Sequence, residues 1–249
     1  MTVAQEQRDH VLVIRIERPE KRNAIDRAVA DGIDAALNRL DDEPDLWVGI
    51  ITGTAEIFSA GTDLSSRSDV RTERGGEYGI IRRERDTPLI AAVEGLALGG
   101  GLEIALACDM IVASETARFG LPEARRGLVP TSGALFRAAR ALPPNIAREL
   151  LLSGRTLDSQ RAYQLGLVNE LSEAGGALGC ALRLAEDVCL SSPMSTRAML
   201  RAQRASTAEQ DSLGWQLTAR AVETFVASAD MQEGLAAFFE KRPPQWRGY

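Results

Sequence analysis

Short β-branched segments alternate with helix-spaced apolar residues through the first half of this chain, and this alternation restricts the fold more than any other feature. The predicted strands are residues 10–16, 47–52, 89–93 and 110–113. A helix is predicted to follow Asp26, a suitable N-cap, because apolar residues recur behind it at helical spacing. Another helix opens near residues 99–102. Strands that alternate with helices indicate crossover units, so we predict an α/β protein.

The second half of the chain has mostly helical spacing after residue 135. Asn145 is a candidate cap for a helix through Leu152, and Asp158 for a second helix that Gly166 ends. Residues 167–171 are a short strand-like piece. The other helical patterns cover residues 178–190, 193–205, 208–226 and 231–240.

The 249 residues can bury a sizeable core and still form one domain. No repeat or linker divides the chain. We therefore expect an α/β core over residues 1–190 and a helical C-terminal region over residues 191–249 within one domain. The net charge of −6 argues against nucleic-acid partners, which need a basic surface, although a local basic pocket can still hold a phosphate group.

The cysteines and the apolar segments indicate where the protein works. The three cysteines are odd in number and form no CxxC pair, so free thiols in a reducing compartment are expected. Residues 1–10 are polar and do not resemble a signal peptide. Acidic residues interrupt the most apolar stretch, residues 89–113, which indicates buried core instead of a membrane span. We expect a cytoplasmic protein without a membrane partner.

Residues 65–86 differ from the rest of the chain in composition. They contain six arginines, five acidic residues and the Gly75-Gly76 pair. This composition predicts a mobile surface loop or a loosely held helix. Because the segment follows the turn at Gly61, it can form part of a pocket wall.

The sequence does not fit three common kinds of site: a phosphate-binding loop, a dinucleotide-binding motif and a histidine-dependent catalytic triad. A phosphate-binding loop needs a lysine and a hydroxyl residue after its last glycine, but Leu102 and Glu103 follow here. The dinucleotide pattern fails because Ile104 occupies the position of its last glycine. A catalytic triad needs a histidine base, and His10, the only histidine, has no motif around it. Proton chemistry in this chain therefore depends on carboxylates.

A metal site is also not expected. The candidate acidic ligands lack histidine or cysteine partners at useful spacing and lie beside apolar residues, whereas sites for hard ions need several clustered oxygens. The acids considered are Asp63, Glu103, Asp109 and Glu123.

Three short segments together fit one chemistry, the stabilisation of negative charge beside carboxylates. In residues 58–64, small residues let a ligand approach the backbone, so the N–H of Thr62 can point into a pocket. In residues 94–103, glycines that open a helix leave N–H groups without partners, with Glu103 in the first turn. Residues 119–123 place a second carboxylate after a Gly/Pro turn. Each segment alone is also compatible with an ordinary turn, close helix–strand packing or an exposed acid.

These segments resemble those of the enoyl-CoA hydratase/isomerase (crotonase) superfamily, and the resemblance covers nearly the whole chain in the family's order. The matching pieces are residues 18–24, 58–64, 91–103, 119–123, 127–130, 153–155, 162, 166–169 and 233–242. The resemblance implies a crotonase-like spiral of ββα units with a helical C-terminal trimerisation region. It also implies a homo-oligomer, a trimer or a dimer of trimers, that uses a coenzyme A thioester as substrate and has no tightly bound cofactor.

The resemblance further implies roles for individual residues. The N–H groups of Thr62 and Gly100 are expected to form an oxyanion hole, with Glu103 and Glu123 as the catalytic pair. In the family the first glutamate is usually the base and the second the acid, an assignment that the sequence itself does not make. The expected acyl-CoA contacts are Arg22, Ala24, Ser59, Ala60, Gly61, Asp63, Leu64, Gly99, Leu121, Thr131, Phe239 and Lys241.

The presence of both glutamates favours an enoyl-CoA hydratase, with fatty-acid β-oxidation as the expected setting. Water addition needs a carboxylate that takes a proton and another that gives one, so their pKa values should differ. Two alternatives stay open: an isomerase or a dehydratase of a polar hydroxyacyl-CoA, and a non-catalytic acyl-CoA binding protein.

Some residues depart from the family pattern. Thr62 occupies a position where alanine is common, and Ser65 one where lysine is often found, so arginines of residues 65–86 can replace a phosphate contact. Thr131 and Ser132 replace common glycines, which indicates a polar or branched acyl group as an alternative to a straight chain. Apolar residues of the late helices predict a symmetric oligomer built from trimers. These residues are Trp215, Leu217, Val222, Phe225, Phe238 and Phe239.

Overall fold

The computed structural model describes residues 2–66 and 68–249. In chain order, the strands are β1 (Val3–Arg8), β2 (Val11–Ile16), β3 (Val48–Thr52), β4 (Ile57–Ser59), β5 (Arg71–Thr72), β6 (Gly76–Glu77), β7 (Leu89–Val93), β8 (Leu96–Leu98), β9 (Met110–Ser114), β10 (Arg118–Gly120), β11 (Thr156–Asp158) and β12 (Glu170–Ser172). The helices are α1 (Arg27–Asp42), α2 (Gly100–Ala107), α3 (Ala134–Ala141), α4 (Pro144–Ser153), α5 (Ser159–Gln164), α6 (Ala177–Cys189), α7 (Pro193–Val226) and α8 (Ala229–Glu240). Short 3₁₀ turns cover Pro19–Lys21 and Glu123–Arg126.

A six-stranded sheet forms the centre of the molecule, in the order β1-β2-β3-β7-β9-β12. The strands from β2 to β12 run parallel, and only β1 is antiparallel to its neighbour. Every residue of β3 and β7 is buried, as expected for parallel strands covered on both faces. All four predicted strands are confirmed. Strand β1 was not predicted, because its residues are mostly polar and exposed at the antiparallel edge.

A four-stranded sheet in the order β11-β10-β8-β4 lies beside the first. Strands β4, β8 and β10 are parallel to one another. Strand β8 follows β7 after the Glu94-Gly95 turn, and β10 follows β9 in the same way, so consecutive strands contribute to the two sheets in alternation. This alternation, with α2 after β8, is the predicted ββα repeat. The carboxyl ends of β4, β8 and β10 consequently lie side by side.

Helix α1 begins as predicted, since the Asp26 carboxylate accepts a hydrogen bond from the N–H of Val29 at 3.0 Å. Asp158 likewise caps α5 through the N–H of Arg161 at 2.7 Å. The predicted cap at Asn145 is wrong. Helix α4 begins one residue earlier, at Pro144, where proline suits the first helical position because the N–H it lacks would have no partner there.

Residues 193–226 form one helix of 34 residues where the sequence predicted two. The proposed break lay at Ser206 and Thr207. Their hydroxyls donate hydrogen bonds to the carbonyls of Gln203 and Arg204 in the preceding turn. Both polar side chains thus find partners within the helix, which continues through them. The helical character of the C-terminal region is therefore confirmed, while the division of the chain at residue 190 stays a prediction.

The prediction of a loosely held segment over residues 65–86 is wrong for the part that the structure describes; Arg67 lies outside the described residues. Strands β5 and β6 form a short hairpin, and Tyr78, Ile80 and Ile81 behind it are buried. The Arg83 side chain is fully buried and pairs with Asp34 at 2.6 Å and with Asp41 at 2.9 Å, both on α1. The buried ion pairs of Arg83 with Asp34 and Asp41 therefore hold this segment against α1.

No helix in the described part of the chain is long and apolar enough to span a membrane.

Candidate active site

The three segments predicted to carry the chemistry follow the carboxyl ends of β4, β8 and β10, and the structure brings them together. Gly61 shows how closely they approach, since a Cβ there would lie 2.8 Å from the carbonyl oxygen of Leu98 and 2.9 Å from the nitrogen of Gly100. A Cβ on Gly101 would lie 2.3 Å from the carbonyl oxygen of Ser59. Any side chain at these two positions would separate the first segment from the second.

The N–H of Thr62 points away from Ile25, the residue with which Thr62 forms a parallel β-bridge. The carbonyl of Gly61 accepts from the N–H of Ile25 at 2.8 Å, and the N–H of Asp63 donates to the carbonyl of Ile25 at 2.9 Å. In this parallel bridge, the N–H of Thr62 faces the opposite side. It has no hydrogen-bond acceptor among residues 2–66 and 68–249.

The N–H of Gly100 also lacks an acceptor among the described residues, because Gly100 opens α2 and the first intrahelical bond runs from Glu103 N to Gly99 O at 3.0 Å. The partial positive charge at a helix N-terminus adds to the effect of this N–H. Thr62 and Gly100 line one cavity, and two free N–H groups that meet there would stabilise negative charge on an oxygen.

The cavity encloses about 230 Å³, and Thr62, Gly100, Glu103 and Glu123 all line it. Glu103 is only 2% exposed, and its Oε1 accepts hydrogen bonds from the N–H groups of Ser132 at 2.7 Å and Ala134 at 3.1 Å. No described residue donates to its Oε2. That oxygen is therefore left for a ligand or a water molecule in the cavity.

Glu123 approaches the same turn from the end of β10. Gly99 has φ +54, and a Cβ there would lie 3.1 Å from Glu123 Oε1, so glycine lets the carboxylate border the start of α2. Glu123 Oε2 is buried and has no hydrogen-bond partner among the described residues. A buried carboxylate oxygen without a donor is costly, which is typical of a group kept for chemistry.

Burial dominates the electrostatics of both carboxyl groups. Desolvation raises the pKa of Glu123 to about 7. It raises the pKa of Glu103 to about 8, with the charge of Glu123 as the second cause, while the N–H groups of Ala134 and Ser132 act in the opposite direction. Burial thus raises the pKa values of both carboxyl groups, and the repulsion between their charges opposes ionisation of the second. Near neutral pH the pair can hold one proton between two carboxylates.

Of the other predicted contact residues, five line the cavity: Ala60, Gly61, Leu64, Gly99 and Thr131. Two more support it from behind. The Ser59 hydroxyl donates to Asn23 O at 2.8 Å and accepts from Gly61 N at 3.1 Å. The Asp63 carboxylate pairs with Arg18 at 2.8 Å, and its hydrogen bonds with Ser65 are the first cause that lowers its pKa to about 2.

The remaining predicted contacts lie away from the cavity lining. Leu121 is fully buried, and Ala24 is half-buried. Arg22 and Lys241 are exposed, and Phe239 is half-exposed. Their roles in acyl-CoA binding stay predictions.

Sequence reasoning missed several residues that line the cavity. Residues 65–86 were expected to form part of a pocket wall, and Tyr78 of this segment does line the cavity, although it was not named as a site residue; Phe225 comes from the end of α7. Arg126 and the apolar residues 128–130 complete the wall next to Thr131. A signal for Tyr78 was present, because it precedes the apolar pair Ile80 and Ile81 at the end of an otherwise charged segment.

Comparison with known proteins agrees with this geometry. The sequence model of the family described as enoyl-CoA hydratase/isomerase matches residues 6–249. The chain belongs to this family. The resemblance inferred from the motifs is therefore confirmed, and the protein is an enzyme of the enoyl-CoA hydratase/isomerase family.

Individual relatives align over almost the full chain. The mevalonyl-coenzyme A hydratase sidH of Aspergillus fumigatus is 39% identical over 251 residues, which cover 96% of this chain and 92% of that protein. The carnitinyl-CoA dehydratase of Proteus mirabilis is 38% identical over 252 residues, or 97% of this chain and 96% of that protein. The solved structure of EchA1_1 from Mycobacterium paratuberculosis has a TM-score of 0.93 and 39% identity, covering 100% of this chain and 99% of that one. The predicted crotonase-like fold is confirmed.

The raised pKa of Glu103 predicts how its replacement changes stability with pH. Unfolded Glu103 ionises near 4.5 while the folded protein keeps the proton up to about pH 8, so the native protein loses stability as pH rises through that interval. Glu103→Gln keeps an Oε1 acceptor for the two N–H groups and cannot ionise. We expect it to be more stable than the native protein by about 2–4 kcal/mol at pH 8.5, and nearly equal at pH 5, since one pKa unit corresponds to about 1.4 kcal/mol.

Urea unfolding at the two pH values measures this difference. The control is Glu56→Gln, which changes an exposed glutamate between β3 and β4 and should leave both values unchanged. If the stability difference between Glu103→Gln and the native protein does not grow from pH 5 to pH 8.5, the pKa of Glu103 is not raised by burial, and this account of its electrostatics is wrong.

Proposed function

We propose that this protein is a hydratase that adds water reversibly to the double bond of an α,β-unsaturated acyl-CoA. The observation that carries the proposal is that Thr62 and Gly100, whose N–H groups have no acceptor among the described residues, line the same cavity as Glu103 and Glu123. Two relatives, a mevalonyl-coenzyme A hydratase and a carnitinyl-CoA dehydratase, support a reaction that adds or removes water.

In the proposed reaction, the thioester oxygen lies between the N–H groups of Thr62 and Gly100. One carboxylate takes a proton from water, whose oxygen forms the new bond to the β-carbon while the double bond breaks. The electron pair moves onto the thioester as an enolate, which the two N–H groups stabilise. The other carboxyl group then gives its proton to the α-carbon. One such N–H donor typically lowers the barrier by ~3 kcal/mol.

The pKa values of the pair suit this division of labour. The reaction needs one carboxylate and one carboxylic acid at the same time, and a buried pair with raised pKa values holds one proton near neutral pH. An arrangement with two ordinary carboxylates would lose both protons well below pH 7. The site therefore supplies acid and base without a histidine.

The acyl group is proposed to be branched or polar. The hydroxyls of Thr62 and Tyr78 lie 2.8 Å apart beside the cavity, and the exposed Thr131 and the half-buried Arg126 also line it. The names of the two relatives refer to acyl groups that carry polar substituents. A dehydratase of a polar hydroxyacyl-CoA, the reverse direction of the same chemistry, is therefore the second candidate.

Activity is measured by the loss of enoyl-thioester absorbance with crotonyl-CoA, 3-methylcrotonyl-CoA and crotonobetainyl-CoA. We expect hydration of at least one of them, a maximum between about pH 7 and pH 8, and a decline on either side as the pair becomes doubly protonated or doubly ionised. Glu103→Gln and Glu123→Gln should each lower kcat by roughly 10²–10⁴-fold. The double variant should lose little more than either single one, because the two groups act as a unit.

Glu56→Gln is again the matched control and should retain the activity of the native protein. Tight acyl-CoA binding without turnover of any of these substrates, unaffected by either glutamine variant, would favour a binding protein instead. Conversion of a β,γ-enoyl-CoA without hydration would favour an isomerase.

We also propose that the protein forms a homo-oligomer built from trimers. Large apolar residues of α7, and Leu190 directly after α6, are strongly exposed, with Leu190 at 87% and Met194 at 73%. Met199, Leu213 and Leu217 are more than half exposed. Trp215 and Phe225, counted earlier among the apolar surface, have other roles, because Trp215 packs against Phe136 and Phe225 lines the cavity.

Light scattering at micromolar concentration tests this assembly. We expect a mass of three or six chains, since an exposed apolar surface of this extent is usually covered by a symmetric partner. Leu213→Glu combined with Leu217→Glu should lower the mass if α7 lies in the interface. A native protein that scatters as a monomer would contradict the proposal.

A further inference from the structure

Tyr78 contacts both residues whose N–H groups face the cavity. Its hydroxyl lies 2.8 Å from Thr62 Oγ1. Its ring lies against Gly100, where a Cβ would come within 2.7 Å of the hydroxyl oxygen and 2.8 Å of the ring carbon that bears it. The side chain is 4% exposed and lines the same cavity as Glu103 and Glu123. Tyr78 therefore contacts both Thr62 and Gly100.

The backbone of Tyr78 is held in a conformation that a bulky residue rarely adopts. Its φ is +58, in the left-handed region, which costs about 1–2 kcal/mol for a residue with a side chain. The surrounding structure fixes it there: its N–H donates to Val70 O at 2.8 Å, and the following Gly79 lies so close to α1 that a Cβ would be 2.4 Å from Ala30 O. Backbone strain that the surroundings maintain is concentrated at functional sites.

The segment that carries Tyr78 is anchored independently of the cavity. The hairpin of β5 and β6 precedes it, and the buried Arg83 pairs with Asp34 and Asp41 behind it. Tyr78 thus reaches the cavity from a rigid support on α1. A support of this kind can fix the position of the loops that follow β4 and β8.

The hydroxyl of Tyr78 remains protonated under working conditions. Burial is the main cause that raises its pKa, and the charge of Glu103 adds to it. Tyr78 and Thr62 therefore share a hydrogen bond between two neutral hydroxyls. The threonine hydroxyl at position 62 thus links the cavity loop to Tyr78. An alanine there would offer the same N–H without any link to Tyr78.

We propose that Tyr78 is a positioning residue of the oxyanion hole, which holds Thr62 through its hydroxyl and Gly100 through its ring so that both N–H groups meet on the thioester oxygen. The inference rests on the proposed function, because it concerns charge that develops on an acyl-CoA thioester. Small displacements of such donors are costly, since a shift of 1 Å can lower a rate by ~10²-fold.

The test uses variants that remove the hydroxyls and keep the contacts. Tyr78→Phe retains the ring against Gly100, and Thr62→Val retains the N–H and the side-chain shape. Each should lower kcat roughly tenfold, a fraction of the 10²–10³-fold expected for complete loss of a donor, with KM changed less than about twofold. The double variant should match Tyr78→Phe, because Tyr78→Phe already lacks the hydrogen bond that Thr62→Val removes, together with the contact of the Tyr78 hydroxyl to the Ser132 side chain. Thr62→Ser, which restores a hydroxyl, should recover most of the activity.

Tyr163→Phe is the matched control, since Tyr163 is 47% exposed on α5 and should leave the rate unchanged. Additive losses in the double variant, or a Tyr78→Phe enzyme with the kcat of the native protein, would overturn the inference. So would a Thr62→Ser enzyme as slow as Thr62→Val.

A binding experiment separates this inference from the proposed function. Acetoacetyl-CoA can bind as its enolate, which carries negative charge on the thioester oxygen and has its own near-ultraviolet absorbance. The acyl group of butyryl-CoA, in contrast, remains uncharged. We expect Tyr78→Phe to weaken binding of acetoacetyl-CoA roughly tenfold and leave butyryl-CoA unchanged, because only the enolate depends strongly on aligned donors. Equal weakening of both ligands would overturn the inference.

The two proposals then fail in different ways. If the native protein hydrates none of the enoyl-CoA substrates but Tyr78→Phe selectively weakens enolate binding, the positioning role stands and the hydratase proposal is wrong. If hydration is observed and Tyr78→Phe changes neither kcat nor enolate binding, only the positioning role is wrong.

Discussion

The close approach of glycine-containing turns at the carboxyl ends of β4, β8 and β10 is the constraint on which the site depends. A Cβ on Gly61 or Gly101 would overlap the neighbouring segment, and Gly99 has a φ of +54 that suits glycine. Because the three strands are parallel neighbours, their ends deliver two N–H groups and two carboxylates to one cavity. The alternation of strands between two sheets thus serves the chemistry directly.

The same arrangement has an electrostatic cost. Glu103 and Glu123 are removed from water, which raises both pKa values, and Glu123 Oε2 has no donor among the described residues. An apolar pair would pack at this place without that penalty. A fold that tolerates such a pair, and holds Tyr78 in a strained conformation beside it, has given up stability for a function at this position.

The sequence predicts much of this because local patterns determine it. Apolar strands, the cap at Asp26 and the glycine turns are short-range features, so the parallel strands, α1 and the pair Glu103 and Glu123 could be located before the structure was known. The missed features depend on distant partners: β1 is polar and pairs only at an edge, and residues 71–85 are ordered by pairing with α1. Tyr78 reaches the site only through that long-range pairing.

The structure of this protein with a bound acyl-CoA tests the central claim most directly. The account predicts the thioester oxygen within about 3 Å of both Thr62 N and Gly100 N, a normal hydrogen-bond distance, with the α- and β-carbons next to Glu103 and Glu123. A thioester oxygen bound elsewhere, or an acyl group that leaves either glutamate more than one water molecule away, would contradict it.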